Sequence, residues 1–337
     1  MPPELAFVVA LAATLAFTPL AIRLAQATGF FDHPVGYKGH GSPTPYLGGI
    51  AVVAGFLLAG AIFGGDSSAF AAIAVGAVVL LGVGTVDDRY QLSPLTRLAI
   101  EAAVACVLYV AGIGWSLFGN DALDLPITVA FVVGVVNAYN LMDNMDGATS
   151  TVAGVSATVM GAFAVAKNPE LGALALALAG ACFGFLRFNL ASPARIFLGD
   201  GGSMPIGFVA AALIMAMPGT GHLGWAFVPV AIVLVGLPAL DTTLVVVSRL
   251  RRGAGVFTGG RDHLTHRLRP KIGSARGVAA ILGSAQAALG IAGVILVSVG
   301  PSLAALGATC LIAVGVAVVA RLESPGWAPE PATEWST

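Results

Sequence analysis

Long apolar runs alternate along this chain with short segments rich in glycine, proline and charge. Each run approaches the ~20 residues that a helix needs to cross the hydrocarbon core of a bilayer. They fall at 5–25, 46–64, 69–86, 97–118, 126–142, 150–166, 170–187, 203–218, 223–247, 277–299 and 301–321. The pattern predicts an all-α polytopic membrane protein of about eleven transmembrane helices, ten being the alternative count, with its chemistry in cytoplasmic loops. Linkers 167–169 and 299–301 are short enough to make tight helical hairpins of their neighbours. Residues 1–322 read as one integral membrane domain, and the Pro-rich stretch 323–337 as a disordered tail. No basic segment precedes the first run, whose only early charge is Glu4, so that run is expected to be a retained helix.

Composition supports the same class: 57% of the residues are hydrophobic and only 10% charged. That is well under the ~25% charge of a soluble domain, so lipid must cover most of the surface. A net charge of -1 gives no basic face for a nucleic acid. Cys106, Cys182 and Cys310 all lie in apolar runs without metal-ligand spacing, and read as small buried hydrophobes.

Charge placement sets the orientation. Threading eleven helices puts 25–45, 87–96, 143–149, 188–202, 248–276 and the C-terminus on one side. With the adjoining helix ends, that side holds fifteen of the sixteen Lys and Arg residues, Lys167 alone lying opposite. By the positive-inside rule this side is cytoplasmic and the N-terminus outside, in a bacterial inner membrane. The same side collects Asp32, Asp87, Asp88, Asp143, Asp146, Asp200 and Asp262 with four histidines. The acids opposite, such as Asp121 and Asp124, read as solvation of short turns.

Five cytoplasmic segments carry candidate chemistry. Residues 37–49 hold Lys38, His40, two prolines and a Gly48-Gly49 pair, a turn whose N–H groups can cradle an anion or simply connect two helices. Asp87-Asp88 closes the third helix; adjacent carboxylates suit a cation, a base or both, or else form a solvated end that Arg89 offsets. In segment 137–147, Asn137 and Asn140 share a helix face ahead of Asp143, Asn144, Asp146 and Gly147. Intramembrane amides of this kind are either helix-to-helix glue or the lining of an aqueous cavity. Asp200 sits among glycines in 197–203, free to meet a hard cation, with Ser203 as a candidate helix cap. Finally, Arg261, His263, His266 and Arg267 form a cationic set that reads better as a phosphate clamp than as a zinc site. Acidic oxygen donors point to magnesium, or manganese, rather than zinc. The chemistry thus suggests phosphoryl transfer between a soluble nucleotide-type donor and a lipid. A multi-helix transporter is the rival class, but it would place ionisable groups near the midplane and show repeats. Asp241, inside the ninth run, is a further intramembrane acid; it either serves function or pairs with an arginine near Arg249.

These segments, in this order from Lys38 to His266, resemble the polyprenyl-phosphate N-acetylhexosamine-1-phosphate transferases, relatives of phospho-N-acetylmuramoyl-pentapeptide transferase. The resemblance implies transfer of a sugar-1-phosphate from a UDP-sugar to undecaprenyl or another polyprenyl phosphate, with release of UMP and a need for Mg. It implies Asp200 as metal ligand, joined by Asn140, with Asp87 or Asp88 positioning or deprotonating the lipid phosphate. Asp143, Asp146 and Gly147 would shape the uridine side, and Asn137 the adjoining cavity. His263, His266, Arg261 and Arg267 would hold the pyrophosphate, with Lys38 and His40 also on the substrate. Two departures stand out: Asp143-Asn144-Met145-Asp146-Gly147-Ala148 replaces the usual Asp-Gly-x-Asp-Gly-Leu, and His263-Leu264-Thr265-His266 replaces His-x-His-His. The first segment favours the N-acetylhexosamine branch, hence UDP-N-acetylglucosamine, over the muramoyl-pentapeptide branch. A homodimer, common in the wider superfamily, is the assembly it suggests.

Overall fold

The computed structural model describes residues 1–32, 43–65, 68–217, 219–256 and 259–327. Lys38, His40 and the chain from 328 onward lie outside the described residues. Those described form thirteen α-helices: α1 Leu5–Thr28, α2 Gly48–Phe63, α3 Ser68–Tyr90, α4 Pro94–Val110, α5 Asp121–Met142, α6 Ala148–Ala164, α7 Pro169–Asn189, α8 Asp200–Met215, α9 Phe227–Val235, α10 Leu237–Arg251, α11 Leu264–Ile272, α12 Ala275–Val297 and α13 Pro301–Leu322. A two-stranded antiparallel ribbon, β1 Phe31–Asp32 with β2 Thr44–Pro45, is a small exception to the all-α expectation.

Each predicted apolar run has its helical counterpart, but they are unequal. Among the described residues, six helices (α1, α3, α5, α7, α12 and α13) are long and apolar enough to cross a membrane, and the bent α9–α10 pair makes up to seven. α2, α6 and α8 are apolar yet only 16 or 17 residues long. The predicted ninth helix is corrected to two pieces meeting at 83°. Gly236 takes φ 62° at the break, and Pro238 stands in the first turn of the second piece. The break frees backbone groups in an apolar setting, where each must find a partner. Buried Gln286 of α12 supplies both: its Oε1 accepts from Leu237 N–H at 2.9 Å, and its Nε2 donates to the Leu234 carbonyl at 3.2 Å. The segment 261–272 also contains a helix, α11, that apolar periodicity alone does not reveal.

Local sequence sets most starts. Ser93, Asn120, Asn168 and Ser274 each accept an N–H from the first turn of the following helix, and Pro94 and Pro169 occupy first-turn positions that need no N–H donor. α4 ends at Val110, short of the expected 118, because the chain turns through 111–120. That turn is organised by Asp124, whose carboxylate accepts from Leu117 and Phe118 N–H at 2.9 Å and from Asn120 at 3.1 Å. Asp124 is 2% exposed, so the expectation of plain solvation is corrected. Of the cysteines, Cys182 is buried, Cys106 half-buried, and Cys310 lies on the outer face of α13, which corrects the reading of all three as buried.

The centre of the molecule is α8, buried nearly throughout and packed on α3 and α5. Its N-terminal end fits there because its neighbours are glycines. A Cβ on Gly84 of α3 would stand 2.3 Å from the Asp200 carbonyl, and one on Gly49 of α2 would stand 2.4 Å from Gly201. Small residues letting backbones approach is the normal route to tight helix packing in lipid. Here it converges on the helix end that carries Asp200.

Candidate active site

The C-terminal ends of α3 and α5 meet the N-terminal ends of α4 and α8 on one face of the helix bundle, and their polar residues interlock. Asp88 of α3 accepts the backbone N–H groups of Asp200, at 3.0 Å, and Gly201, at 3.2 Å. These are first-turn donors that no intrahelical carbonyl can satisfy, so Asp88 caps α8 from outside its own sequence. Gly199 precedes them with φ 73°, and a Cβ there would lie 2.6 Å from the Asp88 carboxylate. The helix begins three residues before the expected cap, Ser203. That residue is instead wholly buried, with its hydroxyl accepting from Asn140 at 3.1 Å.

Asp200 itself keeps a quarter of its side chain exposed. One oxygen accepts from the Asn140 amide at 2.8 Å, and the other lies 3.3 Å from the Arg97 guanidinium. The same Arg97 nitrogen reaches Asp87 at 2.6 Å, and the second Asp87 oxygen accepts Leu92 N–H at 2.6 Å. Arg97 thus bridges the two acids. Sequence reasoning counted it only as one of many basic residues, although its place at the start of α4 puts it beside the end of α3.

Asn137 parts company with Asn140. Residues three apart on a helix differ by ~60° in direction, enough for each to meet a different neighbour. Asn137 Nδ2 donates to Glu101 of α4 at 2.5 Å, away from Asp200. Glu101 is 1% exposed, and the rule that intramembrane acids need a partner would have singled it out.

After α5 the chain turns through Asp143–Gly147. Burial, together with the neighbouring charges of Asp200 and Asp146, raises the Asp143 carboxyl well above its ordinary pKa. Tyr46 lies close enough to Asp88, Asp200, Asp143 and Asp32 for burial and those charges to push its phenol up as well. The sequence segment contained Tyr46 without marking it out. Gly147 adopts φ 77°, its N–H donates to Asn189 at 2.6 Å, and its α-carbon packs on Leu190. It shapes the turn through backbone conformation, while its amide is committed within the protein.

The cationic segment is built on a second acid. Asp241, fully buried in α10, accepts from Leu264 N–H at 2.6 Å and lies 2.9 Å from His263 Nδ1. It therefore orients His263 and caps α11, whereas Arg249 pairs with Asp262 at 3.1 Å. His266, 6.0 Å from His263 between ring centres, has its pKa lowered to about 4 by burial and then by His263 and Arg261. It is neutral near pH 7 and so adds no fixed positive charge there. Arg267 is 5% exposed, and its guanidinium bonds the Asp262 and Leu322 carbonyls, Ser248 and Glu323. These contacts make it a staple between α11 and the end of α13, in place of the substrate contact expected of it. The Thr265 hydroxyl donates to Asn144, stitching α11 to the turn that carries Asp143 and Asp146.

Among the described residues, no three acidic, His or Cys side chains converge tightly enough to enclose a metal ion. Magnesium is commonly held by one or two carboxylates plus substrate phosphates, so hard carboxylate oxygens are the donor type it would need here. Asp200 offers hard, partly exposed oxygens, and an internal cation, Arg97, lies beside them.

The chain is similar to known proteins over most of its length. The model of the glycosyl transferase family 4 matches residues 70–218, a stretch running from α3 past α8. A protein described as a probable undecaprenyl-phosphate N-acetylglucosaminyl 1-phosphate transferase from Bacillus subtilis is 31% identical over 277 residues, 78% of this chain and 76% of its own. The decaprenyl-phosphate N-acetylglucosaminephosphotransferase of Mycobacterium tuberculosis is 32% identical over 288 residues, covering 73% and 70%. The undecaprenyl-phosphate alpha-N-acetylglucosaminyl 1-phosphate transferase of Escherichia coli K12 is 29% identical over 270 residues, covering 75% and 72%.

Proposed function

Since the chain belongs to glycosyl transferase family 4, we propose that it transfers N-acetylglucosamine-1-phosphate from UDP-N-acetylglucosamine to a polyprenyl phosphate. An oxygen of the lipid phosphate forms a bond to the β-phosphorus of the donor. The bond from that phosphorus to the bridging oxygen breaks, and UMP leaves with the electron pair. The product is a polyprenyl-diphosphate sugar, the starting point of a cell-envelope polysaccharide.

The single observation that carries the reading is the joining of Asp87, Asp88, Asn140 and Asp200, from three helices and 113 residues of sequence, into one hydrogen-bonded knot. Asp200 and Asn140 would hold Mg, or Mn, which would neutralise phosphate charge when bound. Asp88 fixes Asp200 by tying down its backbone, and Asp87 acts through Arg97. That division of labour suits phosphoryl transfer, where positioning and electrostatics do most of the catalysis. His263, held by Asp241, and Arg261 would grip the donor pyrophosphate, with neutral His266 as a hydrogen-bonding partner. Asp143 and Asp146 would border the uridine. Lys38 and His40, outside the described residues, would add to the substrate contacts.

The distribution of Lys and Arg supports eleven crossings of a bacterial inner membrane, with α2, α4, α6 and α8 as short spans and the bent α9–α10 pair as one. It also supports an outside N-terminus and a cytoplasmic site. A homodimer is the proposed assembly. The test is direct: purified protein in detergent receives polyprenyl phosphate, Mg and a panel of UDP-sugars. UMP release is expected with UDP-N-acetylglucosamine, and its absence with every sugar refutes the assignment.

A further inference from the structure

A second cluster of polar chemistry lies apart from Asp200. A cavity of about 610 Å³ opens at the end of α7, bounded by the 190–195 loop and the first turn of α12. Arg187, Arg195 and Arg276 supply its charged lining beside Ser192, with Leu186, Leu190 and Pro193 in its apolar wall. All three arginines are exposed, and none makes an ion pair among the described residues. Arg276 Nε donates to the Leu190 carbonyl at 2.8 Å, which keeps that side chain over the loop.

Without a ligand this arrangement is electrostatically unfavourable on two counts. Three like charges around one cavity repel each other. Arg276 also stands in the first turn of α12, where unpaired N–H groups already present partial positive charge, and no acid in that turn offsets it. A phosphate reverses both effects. Guanidinium forks bind its oxygens in pairs, and a helix N-terminus attracts an anion.

We propose that this cavity is a phosphate-binding site separate from the transfer site, filled by the head group of an anionic membrane amphiphile or by free phosphate. The apolar wall favours the amphiphile. Occupancy can be felt at the transfer site through one packed contact: Leu190 of the wall fills the space against Gly147, and the adjacent Asn189 accepts the Gly147 N–H. The turn thus held carries Asp143 and Asp146.

The experiment titrates full-length protein in neutral detergent with short-chain phosphatidylglycerol, short-chain phosphatidylcholine or inorganic phosphate, reading thermal stability. Phosphatidylglycerol is expected to stabilise the wild type at lower concentration than phosphatidylcholine. The R187Q/R195Q variant is expected to need roughly tenfold more of it. R195Q alone, with a smaller shift in the same direction, serves if the double variant folds poorly. Equal stabilisation by phosphate and phosphatidylglycerol, lost in the variants, supports the site and assigns it to free phosphate. Identical responses of wild type and variants, or no response of the wild type to either anion, overturn the proposal. No sugar donor is present, so the outcome stands independently of the transferase reading.

Discussion

The carboxylate of Asp88 accepts the backbone N–H of Asp200 at 3.0 Å, so one acid of the site holds the main chain of another. Replacing Asp88 with Asn keeps the shape but leaves only one oxygen for two N–H donors and removes the negative charge that favours a helix N-terminus. D88N is expected to lose ~1–2 kcal/mol of stability and to lower turnover ~10²-fold or more. Thermal unfolding and UMP release on the same preparation check both. Full activity with lowered stability would reduce Asp88 to a cap.

Arg97 supplies the positive charge between Asp87 and Asp200. R97Q removes it, leaving two acids facing each other with no counter-charge. The variant is expected to melt lower than wild type in metal-free buffer and to recover more than wild type when Mg is added. In R97Q/D200N the extra recovery is expected to vanish. An identical Mg response in all three proteins would remove Asp200 as the metal ligand.

Gln286 satisfies both sides of the α9–α10 break. Q286L leaves a buried N–H and a buried carbonyl without partners, at a cost of ~1–3 kcal/mol for each group. Because α10 also carries Asp241, which holds His263, the variant is expected to raise KM for the nucleotide donor as well as to unfold sooner. Unchanged melting would mean that the break is satisfied otherwise.

The pKa of His266, about 4 in the folded protein, lies below its usual value of 6.5. The folded state therefore binds fewer protons than the unfolded chain between these values. This contribution is fully present above pH 6.5 and is lost as pH falls towards 4. From pH 7.5 to 5 the wild type is expected to lose ~1–2 kcal/mol more than H266Q. Parallel melting-temperature series in one detergent measure the difference, and coincident curves would contradict it.

The helical skeleton was legible because lipid imposes a simple rule: apolar runs of sufficient length are helices, and all eleven runs have counterparts. The break at Gly236 was not, because its backbone is satisfied by Gln286, fifty residues further on, and no local pattern records that partnership. In the site, the acids were legible as a set, since five motifs of unusual polarity interrupt an apolar chain. Their partners were harder to see. Arg97, Glu101 and Asn189 acquire meaning only through contacts between helices, and Arg267 reads in the sequence as a substrate clamp although its guanidinium is committed to the end of α13. Asp241 was noticed as out of place in an apolar run, but which residue it held depended on the 83° bend.

The double attachment of Arg97 also bears on how the chain is made. Its first partner, Asp87, lies ten residues away on the preceding helix, whereas its second, Asp200, lies 103 residues away. Within the α3–α4 hairpin, Asp87 therefore meets its base with no help from later helices, whereas Asp88 and Glu101 find their partners only on α8 and α5. Asp200 arrives later, with α8, to a place prepared for it between two glycine-faced helices.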